Sequence, residues 1–237
     1  MEQWKERTSL LFGEEKIERL QKAHVLIVGV GGVGSYAAEL LCRAGVGKMT
    51  LVDGDTVQAS NINRQLPALQ STVGREKVEV VCERLKQINP NIELFPRPIF
   101  IKDDIIPDLF DEAEFTFVVD AIDTLSPKCY LIVEAFKRNI PIVSSMGAGA
   151  KTDITKVGFS DIWKCTNCKL SRAVRKRLHK IMGIRHKLPV VYSTELPDPK
   201  AIILVDNEQN KKSTCGTVSY MPAVFGCFLA EYVIKQI

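Results

Sequence analysis

Short apolar runs alternate with amphipathic stretches along the first part of the chain. HVLIV (24–28) is an apolar run closed by glycine, the pattern of a buried strand. In GSYAAELLCRAG, the residues Ala37, Leu40, Leu41 and Ala44 recur at helical spacing, and Gly45 stands where a helix would stop. MTLVD (49–53) predicts a second strand. GREKVEVVCERLKQINP predicts a helix, with Val78, Val81, Cys82 and Leu85 three and four apart and Pro90 at its end. FTFVVD (115–120) and IPIVSS (140–145) read as strands, separated by a helix over SPKCYLIVEAFKRN with Pro127 near its start. Beyond about residue 145 the pattern loosens. Strands are expected over TKVGF (155–159), VVYS (190–193) and AIILV (201–205), a basic helix over 169–182, and a buried C-terminal helix in MPAVFGCFLAEYVIKQI (221–237).

This alternation implies parallel crossover units in an α/β fold, a doubly wound, mostly parallel Rossmann-like sheet with an elaborated C-terminal half. One domain over 1–237 is expected, with a nucleotide-binding half to about 145 and a substrate-facing half from about 146.

The balance of 46% hydrophobic and 25% charged residues is ordinary for a soluble protein. The N-terminal stretch is charged throughout and offers no signal peptide, and no apolar run reaches the ~18 residues of a membrane span. A cytoplasmic protein is expected. The seven cysteines are odd in number and scattered, which argues for reduced thiols. Most read as small buried hydrophobes, Cys42 and Cys227 among them. The net charge of +4 is unevenly placed. Residues 169–187 carry eight Lys or Arg and no acid, and without them the chain would stand at −4.

GVGGVG (29–34) supplies Gly29, Gly31, Gly32 and Gly34 between a strand and a helix. Glycines let backbone approach a phosphate, and the helix that follows directs its first N–H groups and positive dipole end at the anion. Asp53, nineteen residues beyond Gly34, suits a ribose. NAD, FAD and ATP all fit this much. The stretch DGDTVQASNINRQ (53–65) changes the picture, because Arg64 and, further on, Lys77 add cations that a dinucleotide does not need. Asn61 and Asn63 can bond sugar or phosphate oxygens, and Asp55 and Gln65 join them in the candidate nucleotide set. Asp120 and Asp123 stand at a strand's C-terminal end, where a carboxylate suits phosphate-held Mg²⁺. Together these favour ATP whose phosphorus accepts a nucleophile, with cations stabilising the developing charge.

The basic segment admits two readings. Leu170, Val174, Leu178 and Ile181 form an apolar stripe, so the helix could present a merely solvated face. Eight cations without an acid repel one another, which instead favours a phosphate-backbone partner for Arg172, Arg175, Lys176, Arg177, Lys180, Arg185 and Lys187. No aromatic platform for bases is visible, so recognition by shape and pocket fit is expected. Cys165 and Cys168 have a metal-ligand spacing, but no second close pair completes four ligands.

GVGGVGSYAAELL, VDGDTVQASNINRQ, VGREKVE, INPNIE and DAIDT resemble the adenylate-forming superfamily of ubiquitin-activating enzymes. Within it, RTSLLFGEEKIERL, SSMGAGAKTDITKV, DIWKCTNCKLSRAVRKRL and VVYSTELP are most similar to the tRNA threonylcarbamoyladenosine dehydratases. The resemblance covers nearly the whole chain. It implies that the four glycines cradle ATP, that Asp53 with Asn61 holds ribose, and that Arg64 and Lys77 contact phosphates. It implies that Asp123 positions Mg²⁺. It implies that Arg7 reaches a neighbouring subunit's ATP in a homodimer. The partner implied for the basic helix and the second half is tRNA carrying threonylcarbamoyladenosine. Zinc-bearing relatives carry two cysteine pairs, so zinc is not expected. A family-type Cys168 with an incidental Cys165 is the favoured reading, and a thioester or persulfide role lacks a neighbouring His. A monovalent cation and a sulfur-transfer protein are left open. The implied reaction is ATP-dependent dehydration and cyclisation through an acyl-adenylate. The alternatives are an adenylyltransferase for the C-terminus of a small sulfur-carrier protein, and an NAD-dependent oxidoreductase, which leaves Arg64, Lys77 and the basic helix unexplained. A tRNA-binding protein without catalysis is the least favoured, since the nucleotide motifs are complete.

Overall fold

The apolar runs pair side by side, because buried backbone amides and carbonyls must find partners and the ladder between neighbouring strands supplies them. In the computed structural model, residues 2–183, 185–204 and 213–237 are described. The strands are β1 (His24–Val28), β2 (Lys48–Val52), β3 (Glu93–Arg97), β4 (Phe117–Asp120), β5 (Ile142–Ser145), β6 (Val157–Asp161), β7 (Pro189–Ser193), β8 (Ile202–Leu204) and β9 (Ser213–Cys215). The helices are α1 (Glu6–Phe12), α2 (Glu14–Lys22), α3 (Gly34–Ala44), α4 (Lys77–Ile88), α5 (Ile106–Asp111), α6 (Leu125–Lys137), α7 (Lys169–Met182) and α8 (Tyr220–Gln236).

A seven-stranded sheet runs in the order β3-β2-β1-β4-β5-β7-β6, parallel except for β6, which is antiparallel to β7. A separate antiparallel pair joins β8 to β9. The doubly wound, mostly parallel sheet is as expected. The second half does not leave this sheet, since β6 and β7 extend it beyond β5. The register sets Val52, Val28, Asp120 and Ser144 abreast at the C-terminal ends of β2, β1, β4 and β5. Strand order reverses between β1 and β4, which opens a crevice at those ends.

Alternate residues of each central strand enter opposite cores. Val25 and Ile27 of β1, with Phe117 and Val119 of β4, face α3, α4 and α8. Leu26, Val28 and Val118 face α5, α6 and α7. This two-residue period is why the strands read as unbroken apolar runs. In α8, Met221, Phe225, Leu229 and Val233 are buried at four-residue intervals. Cys227 lies on the opposite face and is exposed, contrary to its reading as a buried hydrophobe. Cys42 is buried as expected.

Several elements were not anticipated. β3 is a half-buried edge strand that contains Pro96, which an edge tolerates. α1, α2 and α5 are short, and α2 buries little beyond Ile17 and Leu20. The strand expected over 201–205 is seen at Ile202–Leu204, while Val205 falls outside the described residues.

One charged pair sits within the core. Lys128 and Asp120 are both fully buried, with Nζ 2.8 Å from Oδ2. Ser144 donates to Asp120 Oδ2 at 2.6 Å, and the Ile122 amide donates to Oδ1 at 3.1 Å. Lys128 also donates to the Ile122 carbonyl at 2.8 Å. Removing one partner leaves an unpaired buried charge. Lys128→Met is therefore expected to lower unfolding free energy by about 3–5 kcal/mol in a urea titration, and adding Asp120→Asn to recover part of that loss.

His24 is also buried, its Nε2 2.9 Å from Thr50 Oγ1 and its ring against Phe115. Burial holds this imidazole below its ordinary pKa, helped by Lys48 and opposed by Glu93. The folded chain thus binds this proton less readily than the unfolded one. The contribution is complete above the unfolded value of about 6.5 and is lost as pH falls below it. The thermal midpoint should drop as pH falls from about 7 to about 5, and His24→Gln should flatten that decline.

Candidate active site

The crevice at the strand ends is lined first by the turn after β1. Gly29 adopts φ +89°, and its N–H donates to the Val52 carbonyl at 2.7 Å. A Cβ at Gly34 would lie 1.8 Å from the Gly29 carbonyl oxygen, so only glycine lets α3 start this close to the strand. A Cβ at Gly31 would stand 3.6 Å from Gln65 Nε2, and one at Gly32 would stand 3.3 Å from the Arg64 carbonyl oxygen. The SNINRQ segment therefore lies across the glycine turn. In the first turn of α3, Ser35 N–H already donates to the Gly31 carbonyl at 3.2 Å and Ala37 N–H to the Val33 carbonyl at 3.1 Å, so what this end offers an anion is chiefly its positive dipole.

Asp53 follows β2 and is held by both oxygens. Val30 N–H donates to Oδ2 and Asp55 N–H to Oδ1, each at 2.9 Å. Burial pushes this carboxyl above its usual range, against the opposing influence of Lys77 and the two amides. Lys77 opens α4 with its side chain buried, and its Nζ pairs with Asp55 Oδ2 at 2.7 Å. Asp55 thus holds the lysine in this state. Arg64 donates to the Ser60 carbonyl at 2.9 Å and to Asn63 Oδ1 at 2.7 Å. Asn63 Nδ2 reaches the Thr217 carbonyl at 3.0 Å, tying this segment to the entry of α8. Asn61 is buried, and its Oδ1 accepts the Gln58 amide at 3.0 Å, so it shapes the turn that presents Arg64. Gln65 Oε1 is buried and, among the described residues, without a hydrogen-bond partner. It is an acceptor available inside the crevice.

Asp123 is exposed in the loop after β4. Asp120, the other carboxylate at that strand end, is committed to Lys128. Among the described residues no group of three or more His, Cys, Asp or Glu could hold a metal by itself. Mg²⁺ bound to phosphates requires only one or two carboxylates, so the Asp123 loop fits that role and a self-contained metal cage is not built here. Arg7 is exposed on α1, and among the described residues no hydrogen bond or ion pair joins it to the glycine turn. Leu10 and Leu11 on the same helix are 82% and 76% exposed.

The basic helix divides its cations. Arg172, Lys176, Lys180, Arg185 and Lys187 are exposed. Arg175 instead turns inward, donating to the Ile162 and Cys165 carbonyls at 2.8 and 2.9 Å. Arg177 donates to Ser126 at 2.8 Å and lies over Tyr130. Both therefore brace the fold as well as adding charge. Of the expected apolar stripe, Val174 and Leu178 are buried, whereas Ile181 is 38% exposed. Cys165 and Cys168 are packed in the core on the α6–α7 side, and burial pushes the Cys165 thiol up to about 11.

Sequence reasoning passed over Lys128, Ser144 and the buried Lys151, which donates to the Ser193 carbonyl at 2.8 Å. Lys128 lies three places into α6, where a lone lysine reads as surface charge. Only Pro127 and the apolar positions around it hinted that this helical turn faces inward.

A Rossmann-like sheet with a glycine turn at the crevice where strand order reverses defines a protein of the nucleotide-binding class. The ThiF family model matches residues 6–237, and the chain belongs to the ThiF family. It is 38% identical to the tRNA threonylcarbamoyladenosine dehydratase of Bacillus subtilis, over 98% of this chain and 93% of that one. The Escherichia coli enzyme of the same name is 34% identical, over 98% and 94%. The crystal structure of E. coli tRNA N6-threonylcarbamoyladenosine dehydratase in complex with ATP superposes with a TM-score of 0.89, at 33% identity, covering 99% of this chain and 93% of that one.

Because the Gly34 position has no room for a methyl group, Gly34→Ala should lower the unfolding free energy in a urea titration by ~1–3 kcal/mol or more, the cost typical of overpacking.

Proposed function

We propose that this protein is an ATP-dependent enzyme that dehydrates and cyclises threonylcarbamoyladenosine in tRNA. The observation that carries this reading is the end-to-end likeness to the dehydratases, one of them solved with ATP. The crevice geometry supports it with a ready nucleotide cradle. A carboxylate oxygen of the threonyl group attacks the α-phosphorus, and pyrophosphate leaves with the electrons of the broken P–O bond. A nucleophile in the same side chain then attacks the activated carbonyl, the ring closes and AMP leaves. The net change is loss of one water. The second step is intramolecular, so positioning supplies much of its rate.

In this reading the amides of Gly31, Gly32 and Gly34 hold phosphate oxygens, Gly29, whose N–H serves the Val52 carbonyl, lets the turn form, and Asp53 holds the ribose hydroxyls, with Asn61 shaping the adjoining turn. Phosphate draws Lys77 from Asp55, and Lys77 and Arg64 stabilise the charge that develops at phosphorus. Asp123 positions Mg²⁺, which supplies electrostatic neutralisation when bound. Asn63 and Gln65 complete the polar wall. Arg7 serves the site of a second copy, and the exposed Leu10 and Leu11 beside it supply apolar surface of the kind a subunit contact covers. The exposed cations of α7 track the tRNA backbone. The reaction suits the cytoplasm, where ATP and tRNA meet. A monovalent cation and a sulfur-transfer partner rest on the family resemblance alone.

The decisive experiment compares threonylcarbamoylated with unmodified tRNA in the presence of ATP and Mg²⁺. AMP and pyrophosphate should appear only with the modified tRNA, and the digested nucleoside should be lighter by one water. Lys77→Ala and Arg64→Ala should each lower kcat by about 10²–10³-fold, the usual effect of losing a group that meets transition-state charge. If neither tRNA elicits turnover, the assignment fails and the sulfur-carrier alternative comes forward.

A further inference from the structure

The basic face of α7 forms at one place a shallow, open depression. Trp163, Arg172, Arg175, Lys176, His179 and Arg185 line a depression of about 330 Å³. No carboxylate is among them. The indole N–H of Trp163 donates to the His186 carbonyl at 2.6 Å, which ties the ring to the segment after α7. Arg175 locks the turn carrying Trp163 through the Ile162 and Cys165 carbonyls. The Arg185 guanidinium lies over the indole, 5.3 Å from the ring centroid. Arg172, Lys176 and Arg185 are exposed, and none makes an ion pair among the described residues.

Four cations around one concavity repel each other unless an anion joins them. A guanidinium stacked on an indole is a planar, weakly hydrated surface, and bases stack on such planes. The pocket is at the lower end of the ~300–1,000 Å³ range of small-ligand sites, large enough for one nucleotide and too small for a duplex. The sequence showed the charge but no platform, because Trp163 and Arg185 are brought together only by the fold.

We propose that this pocket holds one unstacked nucleotide of a single-stranded RNA loop. Its base lies on the Arg185–Trp163 stack, and its phosphate lies between Arg172 and Lys176. The proposal rests on the RNA-substrate reading above and adds a second point of contact, whose lining shares no residue with the candidate nucleotide set, that selects a looped strand. The platform favours a nucleobase over an anion without rings.

The test uses the full chain and a fluorescein-labelled anticodon stem–loop carrying threonylcarbamoyladenosine, titrated by fluorescence anisotropy at several KCl concentrations. Inorganic polyphosphate serves as a competitor without bases. Arg185→Lys keeps the charge and removes the plane, and it should weaken binding about tenfold with the salt slope unchanged. Arg172→Ala with Lys176→Ala should lower the slope of log affinity against log salt by about 0.7, the value for one single-strand phosphate contact. These side chains are exposed, and circular dichroism verifies that the variants fold. A 5-iodouridine placed in the loop should crosslink to the peptide containing Trp163. If wild type converts the stem–loop while both variants bind it with unchanged affinity and slope, the pocket is idle and the proposal fails, with the functional reading intact. Polyphosphate competing as well as RNA would reduce the pocket to a polyanion patch and also overturn it. Wild type that neither binds nor converts the stem–loop would overturn the functional reading, and the pocket's role with it.

Discussion

The buried Asp120–Lys128 pair fixes the centre of this molecule. One carboxylate takes a lysine from α6, a hydroxyl from β5 and an amide from its own following loop. A charge buried without such partners would be too costly to keep, so the four groups have little freedom relative to one another. The consequence reaches the crevice directly. The clamped loop places the Ala121 carbonyl where a Cβ at Gly29 would come within 2.8 Å of it, and it carries Asp123 two residues beyond. The glycine turn and the candidate metal-side carboxylate are thus set against each other by one desolvated ion pair. Such a pair need not add much net stability, since desolvation offsets most of its attraction. What it supplies is a single geometry.

Around that centre the cations are held ready. Lys77 is buried to its amine and satisfied by an exposed Asp55, an arrangement in which an arriving phosphate replaces one anion with another. Arg64 rests on a backbone carbonyl and Asn63, within a segment pinned to Thr217. Both side chains are thus ordered by bonds within the protein before any ligand arrives. The exposed cations of α7 belong to the helix layer packed on one face of the sheet, whereas the glycine turn leads into α3 on the other.

Much of this was legible in advance, and the exceptions share a cause. The glycine turn, Asp53 and the alternating strands announce themselves through neighbours in sequence. Asp120 and Asp123 looked alike, as two carboxylates after one strand, until the fold buried one against Lys128 and left the other exposed. Arg175 belonged to a uniform basic run, yet its guanidinium serves two carbonyls of the preceding turn. Cys227 sits in an apolar string, but helical geometry turns that one position outward. β3 escaped notice because edge strands bury little and carry little pattern.

By itself the sequence determined the period of each element, the place of the phosphate turn and the family of chemistry, because these depend on residues a few positions apart. The tertiary structure decided which polar groups are spent on the fold and which remain for ligands. Asn63 meets a carbonyl 154 positions away, and Trp163 receives the cation of Arg185 across a whole helix. Whether a charged side chain is buried and paired or exposed and available depends on which distant surfaces it meets when the sheet closes, and no local pattern encodes that encounter.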